Sequence, residues 1–239
     1  MDHLAIRNMM AEKNFRWRGH EISRIEGFSD AVFGFAVTLL VVSLEVPKTF
    51  NELKEVMRGF PAFGICFSLL LLVWRTHVHF FRRYGLQTAW ASALNATLLF
   101  LVLFYVYPLK FLFTLVVGGH SGSEQMIEPG QISPLMIIYG LGYASIFLVF
   151  ALLYIHAYKL RDEMHLNELE AFLTKRSVYQ NLAMVCFGLT SAILASLLGH
   201  HAGLAGFVYM FIGVYFTIEG MTMGKKENEL AAKHPVTHG

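Results

Sequence analysis

The first apolar stretch of the chain carries a charged side chain where a plain membrane anchor would have none. Asp30 follows Ser29, and mostly apolar residues continue from there through Val42. An aspartate near the centre of a membrane helix costs about 2.5–3.5 kcal/mol on insertion scales. Such a carboxylate marks a buried structural network or a site for an ion or a proton. The residues alone leave these two interpretations open.

The elements that must position this carboxylate are apolar helices. Hydrophobic residues make up 55% of the 239 residues and charged ones 15%, against about 25% charged in soluble domains. This balance excludes a disordered chain, a nucleic-acid binder and most cytosolic enzymes. Because roughly 20 apolar residues cross a bilayer, six stretches predict an all-α polytopic membrane protein with six transmembrane helices. They are residues 22–46, 60–81, 88–117, 134–158, 178–199 and 204–223.

Proline and the short polar segments refine these six spans. Pro61 is expected in the first turn of the second helix, and Pro108 is expected to kink or shorten the third. The spans form one domain over residues 1–224, followed by a polar tail over 225–239. The charged residues between 159 and 176 are interpreted mainly as a solvated face, and Cys66 and Cys186 as small core residues.

The positions of the basic residues predict the orientation. Of the 19 Lys and Arg residues, 14 fall in segments that lie inside if the N-terminus is inside, and three fall in the outer loops. Arg75 and Lys110 lie within spans. Because cytoplasmic loops carry the excess of positive charge, both termini are predicted to be cytoplasmic.

Asp30 has candidate partners at its own depth in the membrane. Trp74 and His77 are three residues apart and so share one face of the second helix. The helical rise of about 1.5 Å per residue brings them, with Asn95 of the third helix, to the level of Ser29 and Asp30. We expect a closed network in which the carboxylate accepts from indole, imidazole and amide donors. Arg75 is a possible further counter-charge.

A second stripe runs along the same helix, away from Asp30. At about 100° per residue, Phe28, Phe35 and Val42 fall within about 20° of one line, and Thr38 and Leu39 lie on either side of it. Taken alone, this stripe is more typical of ordinary lipid or helix contact. Thr38 alone is more typical of a hydroxyl bonded back to its own helix.

The segment Arg24-x-x-x-Phe28-Ser29-Asp30 resembles the R-x-x-x-F-S-D signature on the first helix of the transmembrane protein 175 family of potassium channels. The likeness continues through Trp74-x-x-His77, Asn95 and Pro108, so it covers mainly the first 110 residues. The six-span length resembles a bacterial or archaeal member with one repeat. The resemblance implies a homotetramer in a prokaryotic inner membrane, in which the first helices line a central pore.

The resemblance also implies roles for individual residues. Phe35, Leu39 and Val42 correspond to the rings that narrow the pore. At the position of Phe35, isoleucine or leucine is more usual in the family. Thr38 corresponds to a ring of hydroxyls beside which potassium binds transiently. Such a pore conducts potassium passively, gates by dewetting and needs no cofactor. The remaining signature positions correspond to a packing network: Arg24, Phe28, Ser29, Asp30, Trp74, His77 and Asn95.

A different class of function stays open at this point. A proton-coupled secondary transporter would use Asp30 and His77 as its relay, and its flux would saturate with substrate. It would also need interrupted spans in matching positions of two halves, which the sequence does not display. An intramembrane enzyme is disfavoured because no nucleophilic triad or carboxylate pair falls at one depth.

Overall fold

The computed structural model describes residues 14–19, 21–42, 47–117 and 128–234, and these residues form an all-helical chain. The α-helices in the described part are α1 (Arg24–Val42), α2 (Phe50–Tyr84), α3 (Ala89–Val117), α4 (Ile132–Lys159), α5 (Glu168–Leu198) and α6 (Phe211–Lys233). Short 3₁₀ helices cover Pro129–Gln131 and Gly199–Met210. The expectation of an all-α chain is confirmed.

Two helices begin ten residues before the predicted spans because polar caps start them earlier. The hydroxyl of Thr49 accepts a hydrogen bond from the backbone N–H of Glu52, and α2 starts at Phe50. The side chain of Asn167 caps α5 in the same way, with Glu170 completing a capping box. Pro61 consequently lies inside α2, and its predicted place in the first turn is wrong.

The other helix ends differ from the prediction by varying amounts. α3 continues through Pro108 to Val117, so the proline does not shorten it. The left-handed backbone of Gly85, with φ of 59°, closes α2; glycine takes this conformation without strain. The expected short turn at 200–203 contains a kink, because the backbone of His201 is not helical (φ −97°, ψ 15°). α6 extends ten residues beyond the predicted end of the sixth span, into the polar tail.

Four helical runs in the described residues are long and apolar enough to cross a membrane. They are Phe50–Tyr84, Ala89–Leu112, Ile132–Lys159 and Glu168–Lys233. The last run has 66 residues and would extend about 100 Å if straight, three times the hydrocarbon thickness. It folds back on itself, since Arg176 of α5 binds Glu219 of α6. α1 carries three charges and is not among the four runs.

The main core lies where α1, α2, α3 and α4 meet. Phe33, Ala36 and Leu40 of α1 belong to one buried cluster with Phe80 and Leu98, among others. The start of α5 contributes Leu169 and Leu173 to this cluster. Cys66 belongs to this core, but Cys186 is exposed, so its expected core position is wrong.

α4 and α5 approach each other at two glycines. A Cβ on Gly140 would lie 2.7 Å from the carbonyl oxygen of Gly188, and a Cβ on Gly188 would lie equally close to the carbonyl oxygen of Gly140. Small residues permit such backbone contact between membrane helices. This contact holds α4 and α5 close together.

Candidate pore helix and its polar network

A buried chain of hydrogen bonds joins the first three helices. The amide of Asn95 on α3 donates to the Ser29 hydroxyl on α1 at 2.9 Å, and its carbonyl oxygen lies 2.8 Å from Nε2 of His77 on α2. Ser29 and His77 are fully buried and Asn95 nearly so. Asn95 therefore bridges α1 and α2 at a level where water is excluded.

The direction of each bond in this chain follows from its donors and acceptors. The Ser29 hydroxyl donates its one proton to the carbonyl of Ile25, at 2.8 Å, and therefore accepts from the Asn95 amide. The Asn95 oxygen then faces His77, so Nε2 must carry the proton. This places the unprotonated nitrogen of a neutral ring at Nδ1, which is buried without a described hydrogen-bond partner. The rings of Phe33 and Phe81 flank the imidazole.

Asp30 belongs to a separate contact. Its carboxylate accepts from the indole N–H of Trp74 at 2.7 Å, and Asp30 is exposed in the single chain. Among the described residues, no hydrogen bond joins Asp30 to His77 or Asn95, and no ion pair joins it to Arg75. The five polar residues therefore form two units and not the single closed network that was expected. One unit is Asp30 with Trp74, and the other is Ser29 with Asn95 and His77.

The side of α1 that carries Phe28, Phe35 and Thr38 is not covered by any described part of the same chain. Phe28 and Phe35 are 64% and 56% exposed, and Thr38 is exposed beside them. Leu39 is half-buried at the edge of this face. The side chain of Val42 lies outside the described residues, and Arg24 is exposed at the start of the helix.

The Thr38 hydroxyl is oriented by its own helix. It donates to the carbonyl oxygen of Phe35 at 2.7 Å. Because the only hydroxyl proton is used in this bond, the oxygen lone pairs remain as acceptors. A row of such oxygens is chemically able to replace part of the hydration shell of a cation.

An ion pair ahead of α1, not anticipated from the sequence, ties this helix to the second half of the chain. Arg18 binds Glu170 with both terminal nitrogens, at 3.0 and 2.6 Å, and the Glu170 side chain is only 2% exposed. The backbone N–H groups of Arg18 and Gly19 also donate to the carbonyl of Arg82. The prediction that Glu170 belongs to a solvated face is therefore wrong.

A second cluster without a sequence motif joins α5 and α6. Arg176 donates to Glu219 at 2.7 Å and to Glu227 at 2.6 Å. Glu227 also accepts from the amide of Asn14. Only the capping pattern at Asn167 could have indicated that this part of the chain is ordered, because long-range ion pairs leave no local signal.

These features define the class of protein. Several helices are long and apolar enough to cross a bilayer, and polar side chains are paired between them away from water. Pairing of this kind is what the hydrocarbon environment demands of polar groups. The chain is an integral membrane protein.

Comparison with known proteins gives the family. Residues 24–105, which cover α1, α2 and most of α3, match the model of the endosomal/lysosomal potassium channel TMEM175. A potassium channel of Marivirga tractuosa is 41% identical over 231 residues, covering 91% of this chain and 94% of its own length. The chain belongs to the TMEM175 family, and the resemblance found in its first helix is confirmed.

Solved structures agree with this assignment. The fold is similar to a variant of the potassium channel MtTMEM175, crystallised with a nanobody fusion, with a TM-score of 0.78, 38% identity and coverage of 90% of this chain and 99% of that one. It is also similar to a lysosomal potassium-selective TMEM175 homolog from Chamaesiphon minutus, with a TM-score of 0.57, 24% identity and coverage of 82% and 95%. The second likeness concerns the fold alone.

Proposed function

We propose that this chain is a passive potassium channel whose pore is lined by the uncovered face of α1 in a homotetramer. The observation that carries the proposal is the division of α1 into two faces. Ser29, Phe33, Ala36 and Leu40 are buried against the same chain, while Phe28, Phe35 and Thr38 are covered by nothing described. The family relationship adds that similar chains are described as potassium channels.

The chemistry of this face suits a gated ion path. Phe35 and Leu39 from each copy would form apolar rings, which exclude water and ions while narrow and conduct when widened. The outward lone pairs of Thr38 would give a cation partial coordination next to the constriction. Val42 would extend the apolar lining beyond Leu39. Potassium is then the permeant ion and not a bound cofactor, and the chain performs no reaction.

Two hydrogen bonds, one buried and one exposed, set the rotation of the pore helix about its axis. Ser29 is held by Asn95, and Asp30 by Trp74, on sides of α1 that differ by about 100°. Two fixed contacts on different sides of a helix define its rotation about its own axis. In this proposal Arg24 lies at the inner mouth, and the signature residues Ser29 and Asp30 orient α1 without touching the ion.

The remaining parts of the proposal concern the membrane. The six spans would form one domain over residues 1–224, with α1 as the first span and with the run from Glu168 to Lys233 as the fifth and sixth. The distribution of basic residues supports cytoplasmic termini. The one-repeat length supports a prokaryotic inner membrane. The helical end of the tail, up to Lys233, would then extend into the cytoplasm.

A flux assay with a matched control tests the pore assignment. Purified protein in liposomes is expected to leak more potassium after Phe35→Ala, because the apolar ring widens. Phe100→Ala is the control, since Phe100 on α3 is also exposed, at 67%, but lies on another helix. Equal flux for the Phe35→Ala protein and the wild type, or an equal rise with Phe100→Ala, would contradict a pore along this face of α1.

The proton-coupled alternative gains no support from the geometry. Its relay would require proton transfer between Asp30 and His77, yet these residues bind Trp74 and Asn95 respectively. The His77 nitrogen that could accept a proton lies between aromatic rings, away from any described polar partner.

A further inference from the structure

A groove of about 480 Å³ opens between α5 and α6, outside the pore helix and its network. Each helix contributes one stripe of residues spaced three or four apart. The walls are mainly aromatic and aliphatic. The lining includes Phe172, Tyr179, Tyr215 and Ile218, together with the charged Lys175 and Lys226.

The two lysines stand at one end of this groove. Lys226 lies 5.4 Å from the ring centroid of Phe172 and Lys175 lies 6.0 Å from that of Tyr179. The antiparallel course of the helices places Tyr215 at the other end, where it contacts Phe187 deeper along α5. The groove therefore has a cationic mouth and an apolar interior.

No described residue pairs with the two lysines at the mouth of the groove. Both nearby carboxylates, Glu219 and Glu227, are bound by Arg176. Neither Lys175 nor Lys226 forms an ion pair with a described residue. Two exposed ammonium groups thus lie at the groove entrance, each near an aromatic ring.

We propose that this groove binds an anionic phospholipid, with its phosphate headgroup between Lys175 and Lys226 and an acyl chain along Tyr215 and Ile218. The site lies at the end of α5 and α6 where the predicted spans meet the polar segments, which is the depth of lipid headgroups. Basic clusters at this depth recognise anionic lipids by charge. Lysine stems cover apolar surface while their charged ends reach the headgroup level.

Lipid binding to the purified full chain tests the proposal independently of ion conduction. Native mass spectrometry in detergent is used to titrate phosphatidylglycerol and, separately, phosphatidylcholine with the same acyl chains. We expect tighter binding of phosphatidylglycerol. The double variant Lys175→Gln/Lys226→Gln should weaken it by about twenty-five-fold, or about fivefold for each lysine. The control is Lys159→Gln/Lys233→Gln, which removes two exposed lysines outside the groove and should leave binding unchanged.

Further arms separate the possible ligands. Excess inorganic phosphate should fail to displace the bound lipid, because it offers no acyl chain, whereas displacement would indicate a site for a free anion and overturn the proposal. Equal binding of the two lipids by the wild-type protein would also overturn it. So would unchanged phosphatidylglycerol affinity in the groove variant. If that variant does not fold, the comparison of the two lipids on the wild-type chain decides the question.

Discussion

Replacement of Asn95 by leucine tests the buried bridge between the first three helices. Leucine has nearly the shape of asparagine, so the change removes hydrogen bonds and little volume. His77 Nε2 would lose its acceptor at 2.8 Å, and Ser29 would keep its bond to the Ile25 carbonyl. The main consequence is a buried N–H group without a partner.

The magnitude follows from the burial of the imidazole. A buried donor left unsatisfied costs about 1–3 kcal/mol, while hydrogen bonds between membrane helices contribute about 0.6 kcal/mol on average and about 1.7 kcal/mol at most. His77 is fully buried, so we expect Asn95→Leu to lower the free energy of unfolding by about 2 kcal/mol. Ser29→Ala should cost about 1 kcal/mol, since only the acceptor of the Asn95 amide is lost.

The second variant in this test removes the other partner. His77→Phe introduces a ring into a site already lined by Phe33 and Phe81, and it also removes the unpartnered Nδ1. Since replacement of both partners by apolar groups of similar shape is nearly neutral, we expect Asn95→Leu/His77→Phe to be more stable than Asn95→Leu alone by about 1 kcal/mol.

Equilibrium unfolding in mixed micelles of rising dodecyl sulfate content measures these differences, with fluorescence of the three tryptophans as the signal. The wild type, Asn95→Leu, His77→Phe and the double variant form a double-mutant cycle, which isolates the coupling between positions 77 and 95. If the two single effects simply add in the double variant, or if Asn95→Leu unfolds like the wild type, the assigned bridge is refuted.

Two other predictions concern contacts outside the network. Arg18→Met should lower the free energy of unfolding by about 3 kcal/mol because it leaves the buried Glu170 carboxylate without its ion-pair partner. The control is Arg161→Met, which should lower it by under about 1 kcal/mol because the partner carboxylate is 84% exposed. Equal effects of the two changes would contradict a stabilising buried pair. Gly188→Ala should lower the free energy of unfolding by about 2 kcal/mol, because the added methyl group would clash at the close α4–α5 contact. Gly213→Ala, with open space around it, should be neutral or stabilising. In the same unfolding assay, a larger loss with Gly213→Ala than with Gly188→Ala would contradict this reasoning.

The sequence predicted that the indole of Trp74 donates to Asp30. It did not predict that Ser29, Asn95 and His77 form a separate chain of hydrogen bonds. Helical rise alone places Ser29, Trp74, His77 and Asn95 near one level, because depth depends only on residue number along each helix. Which donor meets which acceptor depends on the rotation of each helix about its axis. A turn of about 100° separates Ser29 from Asp30, and this turn directs one to Asn95 and the other to Trp74.

Helix starts were predictable in principle from short polar patterns. Thr49-x-x-Glu52 and Asn167-x-x-Glu170 both have the spacing of an N-terminal cap, yet hydropathy places the starts ten residues later, where the apolar runs begin. The contact between Arg18 and Glu170 has no such signal, since the two residues are 152 positions apart. Only the packed helices bring them together.

The reversal potential tests the central claim most directly. The full chain is reconstituted into a bilayer with opposing gradients of potassium and sodium, both ions being present on each side, and currents are recorded while the voltage is varied. A passive potassium pore along α1 predicts a reversal close to the potassium equilibrium potential, shifted toward zero by Thr38→Ala. A reversal at the sodium equilibrium potential, or no current in protein shown to be folded, would contradict it.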